Sequence, residues 1–381
     1  LMTRRQRLMS TLRGEPVDRP PVSFYEIGGY DVDPDDADEF NVYNDPSWRP
    51  LLELAEEHTD LIRMRSATLT PAADNPREEF FRSETRRDGR CRVTRTTLSV
   101  AGRTLTATAR RDPDMHTTWQ TEHLLKGPED LRAYLELPDE VFHNNEPDVT
   151  GLVAADEAVG DRGIVMVDTG DPICHAAPLF SMEEFTVVAL TEPPLFHRLL
   201  EKLAPPLWQR TEKVAAAFPG HLWRICGPEY ATEPYLPPRL FEEYVVRYTT
   251  PIVEGIRRHG GFARLHCHGR IAKALPHFLA MGVDATDPIE PPPLGDVDLA
   301  DVRREFGRQL VLFGNIEIRD IENLPPEQFE QTVAAALAAG TCTPGRGFVL
   351  MPSACPCGRT ITPRTLTNYR TMVRLATGWG G

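Results

Sequence analysis

Two short stretches of the chain carry the residue types that bind metals and move protons. ARLHCHGRI sets His266 and His268 on either side of Cys267, and MPSACPCGRT sets Cys355 and Cys357 close together near the end. Side chains alternate along a strand, so His266 and His268 would face one side and Cys267 the other. Two imidazoles and two thiols are the donors that Zn²⁺ takes in tetrahedral geometry, at roughly 2.0 to 2.3 Å. Four protein ligands would close the site and make it structural, whereas three would leave a position for a substrate atom. Each pair also has a plain reading: His-x-His as two hydrogen-bonded imidazoles, and Cys-Pro-Cys as two inert thiols.

Those residues need elements to position them. From about residue 160 short β-rich runs alternate with helical patterns, as in parallel βαβ units. The runs 164–167, 222–225, 262–266, 283–286, 310–314 and 347–350 read as strands, and two earlier ones, 21–24 and 61–65, bring the number to eight. Eight parallel strands with intervening helices predict a (β/α)8 TIM-type barrel, with reactive groups at the C-terminal strand ends. His266 and His268 then end one strand, and Cys355 and Cys357 follow the last, so closure of the barrel would bring both pairs to one rim. Leu240, Phe241, Tyr244, Val245, Tyr248, Ile252 and Ile256 form one apolar helical stripe, with a kink expected at Pro251. CRVTRTTLSV, AGRTLTATAR and MHTTWQTE predict an antiparallel β insertion over about 84–122, turning at Ala101 and Gly102. Nothing long enough to act as a linker divides the chain, so residues 1–381 read as a single barrel domain.

Other strand ends offer polar groups: Asp168 with His175 shortly after it, Glu229, then Asp287 with Glu290, then Asn315 with Glu317. Most such residues cap helices or bond loops. From this set Glu229 and Asp168 are assigned to the chemistry, and His175, Asn315 and the earlier Glu26 to substrate contact. Glu229 suits a displaceable zinc ligand or a general base.

Composition narrows the classes. With 41% hydrophobic and 26% charged residues over 381 positions, the chain can fill a globular core. A net charge of −14 gives no general attraction for phosphate backbones or anionic lipid, so no nucleic-acid or membrane partner is expected. No stretch approaches the roughly 20 apolar residues of a membrane helix, and the N-terminal segment lacks the apolar core of a signal peptide, so a cytoplasmic protein is expected. Seven scattered cysteines suit reduced thiols rather than a disulfide scaffold.

The opening MTRRQRLMSTLRGEPVDRPPVSF, the blocks LPPRLFEEYVVRYTTPIVEGIRRHGG and DPIEPPPLGDVDLADVRREFGRQLVLFGNIE, and the ending GFVLMPSACP together resemble the uroporphyrinogen decarboxylase superfamily. The likeness runs over nearly the whole chain and is nearest to the branch that moves methyl groups from corrinoid proteins to thiols. It implies a TIM barrel with zinc held by a His-x-Cys pair after one strand and a Cys after the last. Carried onto this chain, the family His is His266, the first Cys position holds His268, and the distant Cys falls on Ala354, one place before Cys355. The decarboxylase's Met-Arg-Gln-Ala-Gly-Arg-Tyr segment corresponds to Phe24–Tyr30, where both arginines are missing and Glu26 stands instead, a poor clamp for a substrate rich in carboxylates. The expectation is a zinc-dependent methyltransferase for a small-molecule substrate, with a thiol or similar acceptor. Any corrinoid would arrive on a carrier protein, since the Asp-x-His-x-x-Gly carrier signature is absent. Self-assembly into a homo-oligomer stays open. The alternatives are a metal-dependent decarboxylase, lyase or demethylase, and a non-catalytic barrel subunit with structural zinc.

Overall fold

The computed structural model describes residues 2–143 and 146–380. Seven parallel strands make one curled sheet in the order β1 (Leu61–Arg65), β6 (Gly163–Gly170), β7 (Leu222–Cys226), β8 (Phe262–His266), β9 (Ala285–Asp287), β10 (Val311–Ile316), β11 (Phe348–Pro352). A separate antiparallel sheet of four strands runs β2 (Phe81–Asp88), β3 (Cys91–Val100), β4 (Arg103–Arg111), β5 (Thr118–Glu122). The architecture is α/β and compatible with the expected TIM-type barrel. The first expected strand is reduced to one parallel bridge from Val22 to Leu350. Pro20 and Pro21 have no N–H to donate to a ladder, which keeps this segment from pairing along its length. It still touches both edges of the sheet: Ser23 N donates to Leu350 O, and Asp60 N, just before β1, donates to Val22 O at 2.7 Å.

Alternation along the strands sorts the apolar residues into two clusters, one on each sheet face. The inner one gathers Ile62, Met64, Ile164, Met166, Leu222, Val311, Phe313, Val349 and Met351. The helix Arg4–Arg13 contributes Leu8 and Leu12 to it, so that helix sits against the end where the strands begin. A capping box of Thr3 and Gln6 starts the helix, and Gly14 at φ 73° stops it. The outer cluster packs the helices on the sheet, with Phe196, Tyr244, Ile252, Phe278 and Phe329 fully buried.

The apolar stripe ahead of residue 260 is helical but not uniform. A wide π turn over Glu242–Val246 precedes the α-helix Arg247–Arg258, which holds Pro251 in its interior. Pro251 cannot donate to the turn before it, and the π segment lies in that preceding turn. The insertion begins at Phe81, three residues before the expected start, and has the expected turn between β3 and β4 at Ala101 and Gly102. Among the described residues no helix is long and apolar enough to cross a membrane.

Candidate active site

The register of the parallel sheet assembles a polar layer above the apolar interior. Asp168 of β6 lies beside Arg224 of β7, Cys226 beside His266 of β8, and His266 beside Asp287 of β9. Arg224 Nη1 bonds Asp168 Oδ1 at 2.8 Å, and Arg264 Nε stands 2.9 Å from Asp287 Oδ1 with both side chains fully buried. Between the two guanidinium groups sits the ring of Tyr25, 5.6 Å from one and 5.5 Å from the other, stacked on His266 at 5.8 Å. Tyr25 reaches this place with a left-handed φ of 58°, an unusual conformation for a bulky residue. Its hydroxyl, Arg224 Nε and Arg264 Nη2 are buried and make no hydrogen bond.

The two histidines come together although β8 ends at His266 and His268 lies just beyond it, with ring centroids 4.6 Å apart and planes at 88°. His266 Nδ1 bonds Asp287 Oδ2 at 2.7 Å, and His268 Nδ1 bonds Glu290 Oε1 at 2.9 Å. Each carboxylate thus fixes one ring nitrogen, and Nε2 of each ring is left for chemistry. Burial holds His266 down to about 4, so its imidazole is neutral at physiological pH. For Asp287 burial acts upward, but Arg264 and His266 more than offset it and hold the carboxyl at about 2. Burial acts downward on His268, yet its hydrogen bond to Glu290 and that carboxylate's charge raise it. Glu229, at the end of β7, is raised by burial and feels the charge of His268. Glu317 is raised to about 7 by burial and by repulsion from Glu290, and neither of its carboxyl oxygens has a hydrogen-bond partner.

The cysteines follow a different course. Cys355 Sγ donates to Glu26 Oε2 at 2.5 Å, and Tyr30 Oη donates to Glu26 Oε1 at 2.8 Å. Burial, followed by the charge of Glu26, pushes the Cys355 thiol far up, so it stays protonated. Cys357 is exposed, and its carbonyl takes the N–H of His116 at 2.6 Å. Among the described residues no three His, Cys, Asp or Glu side chains are grouped to hold a metal ion. Of the four ligands expected from sequence, the histidine half is assembled and its donor chemistry fits zinc; the cysteine half does not join it.

The remaining predicted residues are also accounted for. Asp168 lies within β6 rather than after it, committed to Arg224. Asn315 lies within β10 and donates from Nδ2 to Ile289 O at 3.2 Å. His175 is exposed on the short helix Pro172–Ala176, beside Gly170. Cys174, on the same helix, lies 3.8 Å from Cys226, sulfur to sulfur. Sequence reasoning missed Tyr25, Arg224 and Arg264. The available signal was an arginine inside an apolar strand, at the third position of LWRIC and of FARLH, the latter two residues before His266 and so on its face.

The insertion is fastened beside this site. Met115 bridges Gly358, Arg359 N donates to Asp114 O at 2.9 Å, and Arg359 Nη1 to Asn44 Oδ1 at 2.9 Å. Next to it opens a cleft of about 460 Å³ lined in part by Tyr30, Asp38, Tyr43, Arg111 and His116. Its wall therefore includes Tyr30, whose hydroxyl holds Glu26.

Comparison with known proteins gives a sequence family and a fold likeness. The profile described as "Uroporphyrinogen decarboxylase (URO-D)" matches residues 121–378. Among solved structures, a methyltransferase from Methanosarcina mazei is similar over 98% of each chain, with a TM-score of 0.60 and 16% identity. A D-psicose 3-epimerase with D-tagatose from Clostridium cellulolyticum H10 is similar over 64% of this chain and 84% of its own, with a TM-score of 0.35 and 11% identity. No curated protein matches.

Proposed function

The chain belongs to the uroporphyrinogen decarboxylase family, and from that premise we propose that it is a methyltransferase that carries a methyl group from a donor to a thiol or similar acceptor at the barrel mouth. One observation carries the reading: two imidazoles 4.6 Å apart, each with Nδ1 on its own carboxylate. Carboxylate-backed histidines are the usual form of metal-binding imidazoles. Likeness in fold to a methyltransferase favours this chemistry over others in the family. Decarboxylation of a polycarboxylate is disfavoured, because Glu26 stands at the mouth and Arg224 and Arg264 are already paired with Asp168 and Asp287.

Zinc on His266 and His268 would supply a positive charge that keeps an acceptor sulfur ionised at neutral pH. The protein's own groups do the rest. Asp287 and Glu290 hold Nδ1 of the two rings, which leaves Nε2 of each free to bind. Glu229, raised by burial, is set to take the acceptor's proton. The acceptor sulfur then bonds the methyl carbon as the carbon–donor bond breaks, and the donor atom keeps that electron pair. For Cys355 to serve as a further ligand, its bond to Glu26 must break and its proton must leave. The reading makes residues 1–381 one eight-membered barrel domain in the cytoplasm, with any corrinoid donor supplied by a carrier protein.

The test joins metal content to product formation. Protein prepared without chelator is analysed for zinc and assayed with methylcobalamin and with methylated small molecules against thiols, with thioether formation read by mass spectrometry. The expected result is zinc near one equivalent and thioether product, both lost in His266→Ala and His268→Ala. Asp287→Asn and Glu290→Gln should weaken metal affinity or activity by about 10- to 100-fold. Folded wild-type protein that holds no zinc and yields no thioether with any donor sinks the proposal.

A further inference from the structure

At the opposite end of the sheet from the histidines, where the strands begin, Arg13, Arg257, Arg308 and Arg346 line a single cleft of about 580 Å³. Asp284 is the one carboxylate among its lining residues. It immediately precedes β9, and its Oδ2 accepts from Ala263 N of β8 at 2.9 Å. Arg346 Nη1 stands 3.5 Å from Asp284 Oδ1 and also donates to Gln309 O at 3.3 Å, while its Nη2 donates to Leu12 O. Arg257 Nη1 donates to Gly282 O at 2.8 Å, and its Nε is 4.0 Å from Asp284 Oδ2. These bonds hold two guanidinium groups as fixed walls. Arg13 and Arg308 are exposed, and their side chains have no hydrogen bond or ion pair among the described residues. Four cations against one anion leave three positive charges uncompensated, in a protein whose net charge is −14.

We propose that this cleft is a second binding site, distinct from the mouth, for a small oxyanion that carries two or more negative charges. The guanidinium fork matches the paired oxygens of phosphate and carboxylate, and several forks converging on one hollow favour a multivalent ligand over a single charge. The volume suits a small molecule. A long polyanion is opposed by the acidic charge of the rest of the surface. Phosphoryl and carboxylate ligands share this chemistry, so the experiment carries an arm for each.

Full-length protein is titrated calorimetrically with pyrophosphate and, separately, with citrate, in buffer of low ionic strength. The expected result is one equivalent bound in at least one arm, and the tighter arm identifies the class. Arg13→Ala/Arg308→Ala should weaken that binding at least tenfold, and Arg13→Lys/Arg308→Lys, which keeps charge but loses the fork, should fall between. Arg239→Ala, away from the cleft, should bind as wild type. Circular dichroism of each variant establishes that it is folded. Absence of binding in both arms at millimolar ligand, or equal affinity in the folded Ala double variant, overturns the assignment.

Discussion

At the scale of single residues, the site turns on Asp287, which serves Arg264 through one oxygen and His266 through the other, with no exposure to water. Removing it would leave the buried Arg264 without its counter-charge, and breaking a buried pair in this way costs about 3–5 kcal/mol. Asp287→Ala should therefore lower the denaturant midpoint substantially, and Arg264→Met/Asp287→Leu, which removes both charges, should recover much of the loss. Glu317 makes a prediction with a pH sign. Its folded pKa lies at about 7, above the usual glutamate value, so the folded state holds this proton more tightly than the unfolded state does. Its contribution is fully present below the unfolded value and is lost as pH rises through about 7. Glu317→Gln should raise the Tm relative to wild type at pH 8 and change it little at pH 4, as read by thermal scans. The pairing of the two histidines was legible in HCH, because spacing by two residues at a strand end favours one face for both, even though β8 itself stops at His266. The partner of Cys355 was not, since Glu26 lies 329 positions away in sequence and no local pattern points to it.

At the scale of elements, sequence patterning located all seven parallel strands, the six after residue 160 and the strand 61–65 before them, each end within about three residues, because buried parallel strands are short apolar runs. It failed on residues 21–24, whose apolar run suggested a strand but whose paired prolines allow only a bridge. It placed Asp168 and Asn315 after their strands, whereas both lie within them: Asp168 is paired with Arg224 of the neighbouring strand, and Asn315 bonds Ile289 O just beyond β9. The pairing of β1 with β6 tests how closely these strands must approach. Gly163 pairs with Leu61, and a Cβ there would overlap the Leu61 carbonyl. Gly163→Ala should destabilise the protein by about 1–3 kcal/mol through this overpacking, measured by urea unfolding.

For the whole molecule, stability should be divided unevenly. The parallel strands are nearly all buried, whereas β2 is exposed from its second residue to its last. Amide exchange in β2 and β5 should run faster than in β6 to β11, and uniform protection across both sheets would contradict this division. The net charge of −14 argued against a nucleic-acid or membrane partner, but an average over the chain hides the arginine-lined hollow at the strand starts. Only the fold brings positions 13, 257, 308 and 346 together. The fastening of the small sheet has a consequence of its own. Arg359 is tied at once to Asp114, Pro113 and Asn44, its carbonyl takes the indole N–H of the buried Trp48, and it lies four residues beyond Cys355. The insertion and the segment that carries Cys355 are thus coupled through one side chain, so displacing the hairpins would strain the bond between Cys355 and Glu26.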